Sequence, residues 1–429
     1  MSNYRPISLL SNLGKLYERV IKSKMDTNIQ SDYIPPYQFG FKPRHYTYHA
    51  LLKFHSDVIK NLRIQRCTVA ISLDIEKAFD RAYHNGLIYK LINIGFSPFL
   101  IKILKNFLSD RKFFVQINQT CSNLGLVNSG VPQGSILAPH LYNILIYDFP
   151  HIWNGSKSIL YADDSLVYAH ADAPSIALRQ VSNHLNLINN YYKNWGIKIN
   201  VSKSQAICLR KASGRCGRSV VPESKNLTLF LDGSEIPFKN SIKYLGVTFN
   251  KLVKFNEHAR LVLKKANKIK GMFAKLLRNK HLSQNSKLLI YKVSIRPAIV
   301  YAFPIWFTIS PTIANDLEIL ERKILRLCVD RNYESLTKKY SNQYIYNKAD
   351  INPLCNYSLN LLETFVNKLE FHENHLISDV FNYQKAFSWS STRYISPIGI
   401  LNENLTNRNN DAPLLPDFYE RVSPDTHRG

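Results

Sequence analysis

Short apolar runs and amphipathic periods alternate along most of the chain, which predicts a protein of mixed helix and strand. Ser158 to Ala162 and Ser165 to Ala169 are apolar stretches separated by Asp163 and Asp164, the pattern of a hairpin with two carboxylates at its tip. Thr68 to Leu73 reads as a strand with Val69, Ile71 and Leu73 on one face, and it ends at Asp74. Phe113 to Ile117 is a further strand, and Ile242 to Phe249 a strand pair. Helical spacing sets Leu13, Leu16, Val20 and Ile21 on one face, and recurs over Tyr48–Asn61, Pro98–Leu108 and Ala173–Trp195. A helix is also expected to grow out of Ile75–Asp80 through Leu91, and another to follow Ser129–Pro139 through Ile146.

The clearest period runs from Asn256 to Lys280. Val262, Ala266, Ile269, Phe273 and Leu276 share one face, while Arg260, Lys264, Lys268, Lys275 and Arg278 fall near the opposite one. Helices over Ser286–Ile295 and Asn315–Cys328 are expected to pack on it, with Trp306 in the core. Residues 211–225 read as a Gly/Ser/Arg-rich loop, and past Asp330 the pattern fades.

Charge sharpens this picture. The 429 residues carry 56 Lys and Arg against 31 Asp and Glu, a net charge of +25. Residues 251–300 hold 13 basic residues against the single acid Glu257, so their basic face cannot pair with itself. That favours a polyanionic partner over a merely solvated lysine stripe. An anionic membrane is the rival partner, yet no apolar run of about 18 residues is present to span one. The start, Met1 to Arg5, lacks the apolar region of a signal peptide, so an intracellular location is expected. Six scattered cysteines form no C-x-x-C pair and no zinc spacing, and read as reduced thiols.

Two adjacent carboxylates repel unless water or a cation screens them, so the Asp163–Asp164 tip is either a divalent-metal site or a solvated turn. Asp74, at a strand end, is a third acid able to join Asp163, whereas Glu76 and Asp80 suit capping or solvation of the following helix. Gln38 to Thr47 is a loop for template or phosphate, or else a basic loop with Thr47 as helix N-cap. In Ser129–Pro139, Gly130 and Gly134 would let a backbone approach a ligand, and the helix N-terminus beyond would offer N–H groups to phosphate.

Together these pieces resemble the reverse transcriptase of non-LTR (LINE-like) retrotransposons, most nearly the insect jockey-type elements. Tyr4-Arg5-Pro6-Ile7-Ser8-Leu9-Leu10, Gln38-Phe39-Gly40-Phe41, Leu73-Asp74-Ile75-Glu76-Lys77-Ala78-Phe79-Asp80, Gly130-Val131-Pro132-Gln133-Gly134-Ser135, Tyr161-Ala162-Asp163-Asp164 and Tyr244-Leu245-Gly246-Val247 occur in that family's order. Six ordered motifs leave little room for coincidence, and the resemblance covers about residues 1–330. The resemblance implies an α+β right-hand polymerase with an antiparallel palm sheet, fingers and a helical thumb. The implied domains are fingers over 1–66, palm over 67–250 with a fingers insertion at 92–125, a basic thumb over 251–330, and a C-terminal extension over 331–429.

The implied activity is RNA-directed DNA synthesis, with an RNA template, a DNA primer and dNTPs as partners and a nuclear site of integration. Asp74 and Asp163, assisted by Asp164 and the Ile75 carbonyl, resemble the ligands of two Mg²⁺ ions. Phe79 looks like the steric gate against a ribose 2′-OH, or else core. Gln133 with Gly134 looks like a dNTP contact, Arg5 like a triphosphate ligand, and Lys203 like the lysine that protonates pyrophosphate. Lys42 and Arg44 would meet template, Tyr244, Leu245 and Gly246 would grip the primer, and Lys264, Lys268 and Lys275 would line the thumb. Lys42 and Tyr46 stand where the family usually has Arg and Ser. The chain opens on the fingers motif without the endonuclease that normally precedes it, so the expectation is a truncated copy. A catalytically defective remnant that merely binds nucleic acid is the alternative.

Overall fold

The computed structural model describes residues 7–28, 33–211, 227–329 and 341–386. Two compact units emerge, one built from residues 1–50 and 64–242, the other from 51–63 and 243–429. In the first unit α1 spans Asn12–Asn28, α2 (Thr47–Arg63) begins there and continues into the second unit, and β1 spans Cys67–Ile75. Then come α3 (His84–Ile94), α4 (Pro98–Leu108) and α5 (Ala138–Leu145), followed by β2 (Ile152–Trp153), β3 (Ser156–Tyr161) and β4 (Asp164–Ala171). The sheet is completed by α6 (Pro174–Asn194) and β5 (Ile199–Leu209).

Five strands form one antiparallel sheet in the order β2-β3-β4-β1-β5. β1 lies between two neighbours, which is why Val69, Ala70 and Ile71 are fully buried. α6 lies across β4 and β1 and buries Ala177, Val181, Leu185, Ile188 and Tyr192, an apolar stripe at helical spacing. β5 was not foreseen in the sequence. Its alternation is interrupted where the pairing with β1 shifts register between Ser72 and Asp74, leaving Ser202 and Lys203 exposed.

Other boundaries differ for local reasons. α3 starts at His84 rather than growing out of Ile75–Asp80, because Lys77 adopts φ +47° and its carbonyl closes turns onto the N–H groups of Asp80 and Arg81. α4 has the expected bounds, since Ser97 caps the Leu100 N–H (3.4 Å) and Pro98 stands in the first turn. The expected strand Phe113–Ile117 splits into two-residue ladders, Lys112–Phe113 with Gly125–Leu126 and Gln116–Ile117 with Thr120–Cys121. This arm pairs only with itself, so Phe113, Phe114, Val115 and Ile117 stay exposed. On α1 the buried positions are Glu18, Ile21 and Met25, whereas Leu13, Leu16 and Val20 are exposed.

A buried cation stiffens this unit from below. Lys90 on α3 is fully buried, 2.5 Å from Asp148 and 2.8 Å from the Tyr191 hydroxyl, and it also donates to the Leu145 carbonyl. Its ammonium sits 3.9 Å from the centre of the Trp195 ring. Burial outweighs the Asp148 carboxylate and pulls its pKa down to about 8.

Among its described residues the second unit is helical apart from a hairpin of β6 (Ser241–Tyr244) and β7 (Val247–Asn250), and the unit boundary falls within β6. The expected helix Asn256–Lys280 breaks at Phe273 into α7 (Asn256–Met272) and α8 (Ala274–Arg278). The break rotates the buried face, so Leu277 is buried while Leu276 is exposed. Helices Gln284–Ile290 and Pro311–Val329 follow, the first running on through a π turn, Tyr291–Ile295, and Trp306 is buried as expected. Beyond residue 340, where the sequence pattern weakens, helices Asn342–Ala349, Leu354–Leu369 and His375–Ala386 form. The first two are tied in by Glu321, fully buried, which accepts from the hydroxyls of Tyr291 and Tyr346 (2.9 Å) and from the Leu354 N–H (2.7 Å). Residues 387–429 and the 212–225 portion of the expected loop lie outside the described residues.

Two histidines make this unit acid-sensitive. Burial lowers His55 to about 4, and burial together with Lys243 lowers His258 to about 4. Between pH 6.5 and 4 the unfolded chain therefore binds more protons than the folded one, and stability falls as pH falls. Thermal unfolding should show a steady loss of Tm from pH 7 to pH 4.5, reduced in a His55→Phe, His258→Phe double variant. A Tm independent of pH over that window would contradict it.

Candidate active site

Backbone register brings the acids together. In the β1–β4 pair Leu73 lies opposite Ser165, so one further step sets Asp74 across from Asp164, on the same face of the sheet. The side-chain bond between Thr68 and His170 (2.7 Å), themselves a register pair, marks that face at the other end of the strands. β3 and β4 pair up to Tyr161 opposite Asp164, which leaves Ala162 and Asp163 as a two-residue turn, with φ +57° at Ala162. The hairpin tip expected from the sequence is thus present, with Asp74 beside it.

Asp74 is fixed from the other flank as well. Its N–H donates to Ser204 Oγ (3.2 Å), and Ser204 donates in turn to the Asn200 carbonyl (2.8 Å). Asn200 Oδ1 accepts from the Ser202 hydroxyl (2.8 Å) and the Lys203 N–H (3.3 Å), which folds the bulge of β5 onto Asp74. Sequence reasoning missed Ser204 and Asn200, although a Ser beside a register break is a usual way to satisfy freed backbone groups. Lys203 is exposed on this bulge, and Ile75 is buried opposite Ile199.

Beneath the tip, Tyr142 is fully buried and its hydroxyl has no hydrogen-bond partner. Burial, then Tyr192, Asp163 and Asp164, raise its pKa well above the usual phenol value, so it stays neutral. Phe79 stacks on Tyr142 (4.7 Å between centroids) and meets Phe41 edge-on (5.8 Å), so two aromatics lock its ring. Glu76 pairs with Arg81 (3.1 Å), and Asp80 accepts from Gln133 Nε2 (2.7 Å).

The glycine-rich loop is explained by the chain's own packing. A Cβ on Gly134 would come within 2.6 Å of the Ser8 carbonyl oxygen, and one on Gly130 within 2.5 Å of the Asp80 carbonyl oxygen. Both glycines thus admit neighbouring backbone, where a ligand was expected. The N–H groups of Ile136 and Leu137 before α5 are likewise taken, at 2.6 and 3.2 Å, by the buried carboxylate of Glu18. A phosphate at this helix N-terminus would have to displace Glu18.

Of the loop expected to meet template, Gln38, Phe39 and Gly40 are buried, and Phe41, Arg44 and Tyr46 are exposed. Lys42 is half-buried with its ammonium on the Ile34 carbonyl (3.2 Å). Arg5 lies outside the described residues. In the second unit Tyr244 is buried with its ring edge-on to Phe54 (6.3 Å), so its side chain is unavailable to a primer strand. Leu245 and Gly246 form a turn with φ +43° and +84°, and Tyr301 donates to the Leu245 carbonyl (2.9 Å). Lys264, Lys268 and Lys275 are exposed, as expected.

Among the described residues no three His, Cys, Asp or Glu side chains are grouped closely enough to enclose a metal ion. Mg²⁺ does not require such a cage: it is commonly held by one or two carboxylates, with water and substrate phosphate filling its other positions. The oxygen-only set of Asp74, Asp163 and Asp164 at one strand edge fits that chemistry.

An antiparallel sheet with Asp74, Asp163 and Asp164 at the ends of its inner strands is an arrangement that a nucleotidyl-transfer polymerase could use. The family model for reverse transcriptase (RNA-dependent DNA polymerase) matches residues 1–249, and the chain belongs to that family, whose members generally work with divalent metal ions. It is 28% identical, over 77% of its length and 36% of the relative's, to the probable RNA-directed DNA polymerase from transposon BS of Drosophila melanogaster. To the RNA-directed DNA polymerase from mobile element jockey of the same species it is 28% identical, over 88% of this chain and 40% of that one. The chain therefore spans well under half the length of these relatives. Telomerase from Candida albicans, solved in complex with a fragment of telomeric RNA, overlays 88% of this chain and 59% of its own at 12% identity and a TM-score of 0.43. No helix among the described residues is long and apolar enough to cross a membrane.

Glu18 gives this site a direct stability test. Glu18→Ala leaves the buried Leu137 N–H and the part-buried Ile136 N–H without an acceptor and should cost about 2 kcal/mol in urea unfolding, while Glu18→Gln, which keeps an acceptor, should lose less than half of that. A Glu18→Ala variant as stable as the parent would contradict the cap.

Proposed function

We propose that this chain is the polymerase part of a non-LTR retrotransposon protein, extending a DNA primer on an RNA template with dNTPs. The single observation that carries the reading is the register that pairs Leu73 with Ser165, which carries Asp74 one step on towards Asp164 and the Asp163 turn. Asp74 and Asp163, with Asp164 and the Ile75 carbonyl, would hold Mg²⁺. When bound, the ions supply positive charge for the primer oxygen and the departing pyrophosphate. The remaining work falls to the protein. The three-ring cluster of Phe41, Phe79 and Tyr142 would hold a rigid wall against a ribose 2′-OH. Gln133, anchored by Asp80, would border the nucleotide, and exposed Lys203 is available to give a proton to pyrophosphate. Residues 67–250 would be palm, 1–66 and 92–125 fingers, and 251–330 thumb, with nuclear integration as the setting.

In α7 and α8 the exposed Lys264, Lys268 and Lys275 would follow the duplex backbone. Replacing all three by Ala should lower RNA–DNA duplex affinity and flatten the dependence of log K on log salt by about 2–3, one contact per lysine. An unchanged slope would remove the thumb assignment.

Primer extension on an RNA template tests the activity itself. Asp163→Asn should reduce it at least about a thousandfold, since a lost charge-stabilising contact of several kcal/mol counts tenfold per 1.36 kcal/mol. Its duplex binding should survive. Duplex binding by the parent without any extension would instead favour the non-catalytic remnant.

A further inference from the structure

The segment Gln38-Phe39-Gly40, which looks like a solvent-facing loop, is instead buried against the carboxylate hairpin. The Phe39 N–H donates to the Leu160 carbonyl (2.9 Å) and the Leu160 N–H to the Tyr37 carbonyl (2.9 Å), so the segment runs as a short parallel strap along β3. Gln38, 1% exposed, turns its side chain back along it. Its Oε1 accepts from two backbone groups, the Gly40 N–H (2.7 Å) and the Ala162 N–H (3.0 Å). Gln38 Nε2 is buried and makes no hydrogen bond, so the amide acts here through its oxygen alone.

Ala162 is the first turn residue of the hairpin, and its N–H has no place in the β3–β4 ladder, which ends with the Tyr161–Asp164 pair. It is also buried, so water cannot readily serve it, and an orphaned buried N–H is strongly disfavoured. Gly40 completes the fit. A Cβ there would stand 2.2 Å from the Ala162 nitrogen, and the Gly40 carbonyl is held by Asn143 Nδ2 (3.0 Å) from α5.

We propose that Gln38 is a positioning residue whose amide oxygen, seated by Gly40, clamps the Ala162 backbone and so sets where Asp163 and Asp164 point. The proposal deepens the polymerase reading, on which only its activity arm rests. The clamp acts one peptide away from Asp163, and a displacement of about 1 Å in a group that must address a reacting centre can cost a hundredfold in rate.

The test compares the parent with Gln38→Met, which keeps the side-chain length and removes the acceptor, and with Gly40→Ala, which pushes on the same nitrogen. Hydrogen exchange resolved to single residues reads the clamp without any assay of activity. Exchange at Ala162 should accelerate at least about tenfold in Gln38→Met, while α6 exchanges as in the parent. In primer extension, kcat should fall tenfold or more with the dNTP KM within about threefold, and the Mg²⁺ concentration for half-maximal rate should rise in both variants. Parental exchange at Ala162 in Gln38→Met, or an acceleration shared by α6, would overturn the proposal. Should neither variant fold, the parent decides: Ala162 must be among the slowest amides of residues 158–166, and fast exchange there overturns the clamp. A parent that binds duplex but never extends a primer sinks the polymerase reading, while the exchange result still judges the clamp.

Discussion

Carboxylates gathered at one strand edge repel each other, and that repulsion is tolerable only where the backbone beneath them cannot drift. Here the register of β1 against β4 supplies the constraint. It carries Asp74 towards Asp164 with no help from the acids themselves, since the pairing is set by buried Val69, Ala70, Ile71 and Leu73 against Ser165 to Ala169. A slip of one residue would turn every one of those apolar side chains to the wrong face. The arrangement of charge is thus paid for by apolar burial elsewhere in the sheet.

Around that register, buried polar groups serve backbone rather than ligand. Ser204 takes the Asp74 N–H, Glu18 takes the first N–H groups before α5, and Lys90 joins α3 to Asp148 and Tyr191. Glu321 plays the same part within the helical unit. Each is costly to bury alone and stabilising when fully partnered, which stiffens what surrounds it. Stiffness suits a reaction in which the protein contributes position and charge instead of a covalent intermediate.

The fold was legible where a period of two or 3.6 ran unbroken. β1, the β3–β4 hairpin, α4 and α6 all carry such patterns, and Asp74, Asp163 and Asp164 fell where strand ends put them. β5 was not legible, because its bulge interrupts the alternation that would have announced it. Lys77 in a left-handed conformation hid the true start of α3. The roles of Gln38, Glu18 and Ser204 depend on partners 118 to 130 residues distant, a separation that no local pattern encodes. Gly130 and Gly134 misled for a related reason, since a glycine signals close approach without naming what approaches. Tyr244 carried a motif whose aromatic ring serves the core.

The central claim is that Asp74 and Asp163 face one shared site at the edge of the sheet. Anomalous diffraction from crystals grown with Mn²⁺, an RNA–DNA duplex and a non-hydrolysable dNTP addresses it most directly. A manganese peak bridging the carboxylates of Asp74 and Asp163 is the expected result. A refined structure with the Asp74 carboxylate on the opposite face of β1, and no peak between the two, would contradict it.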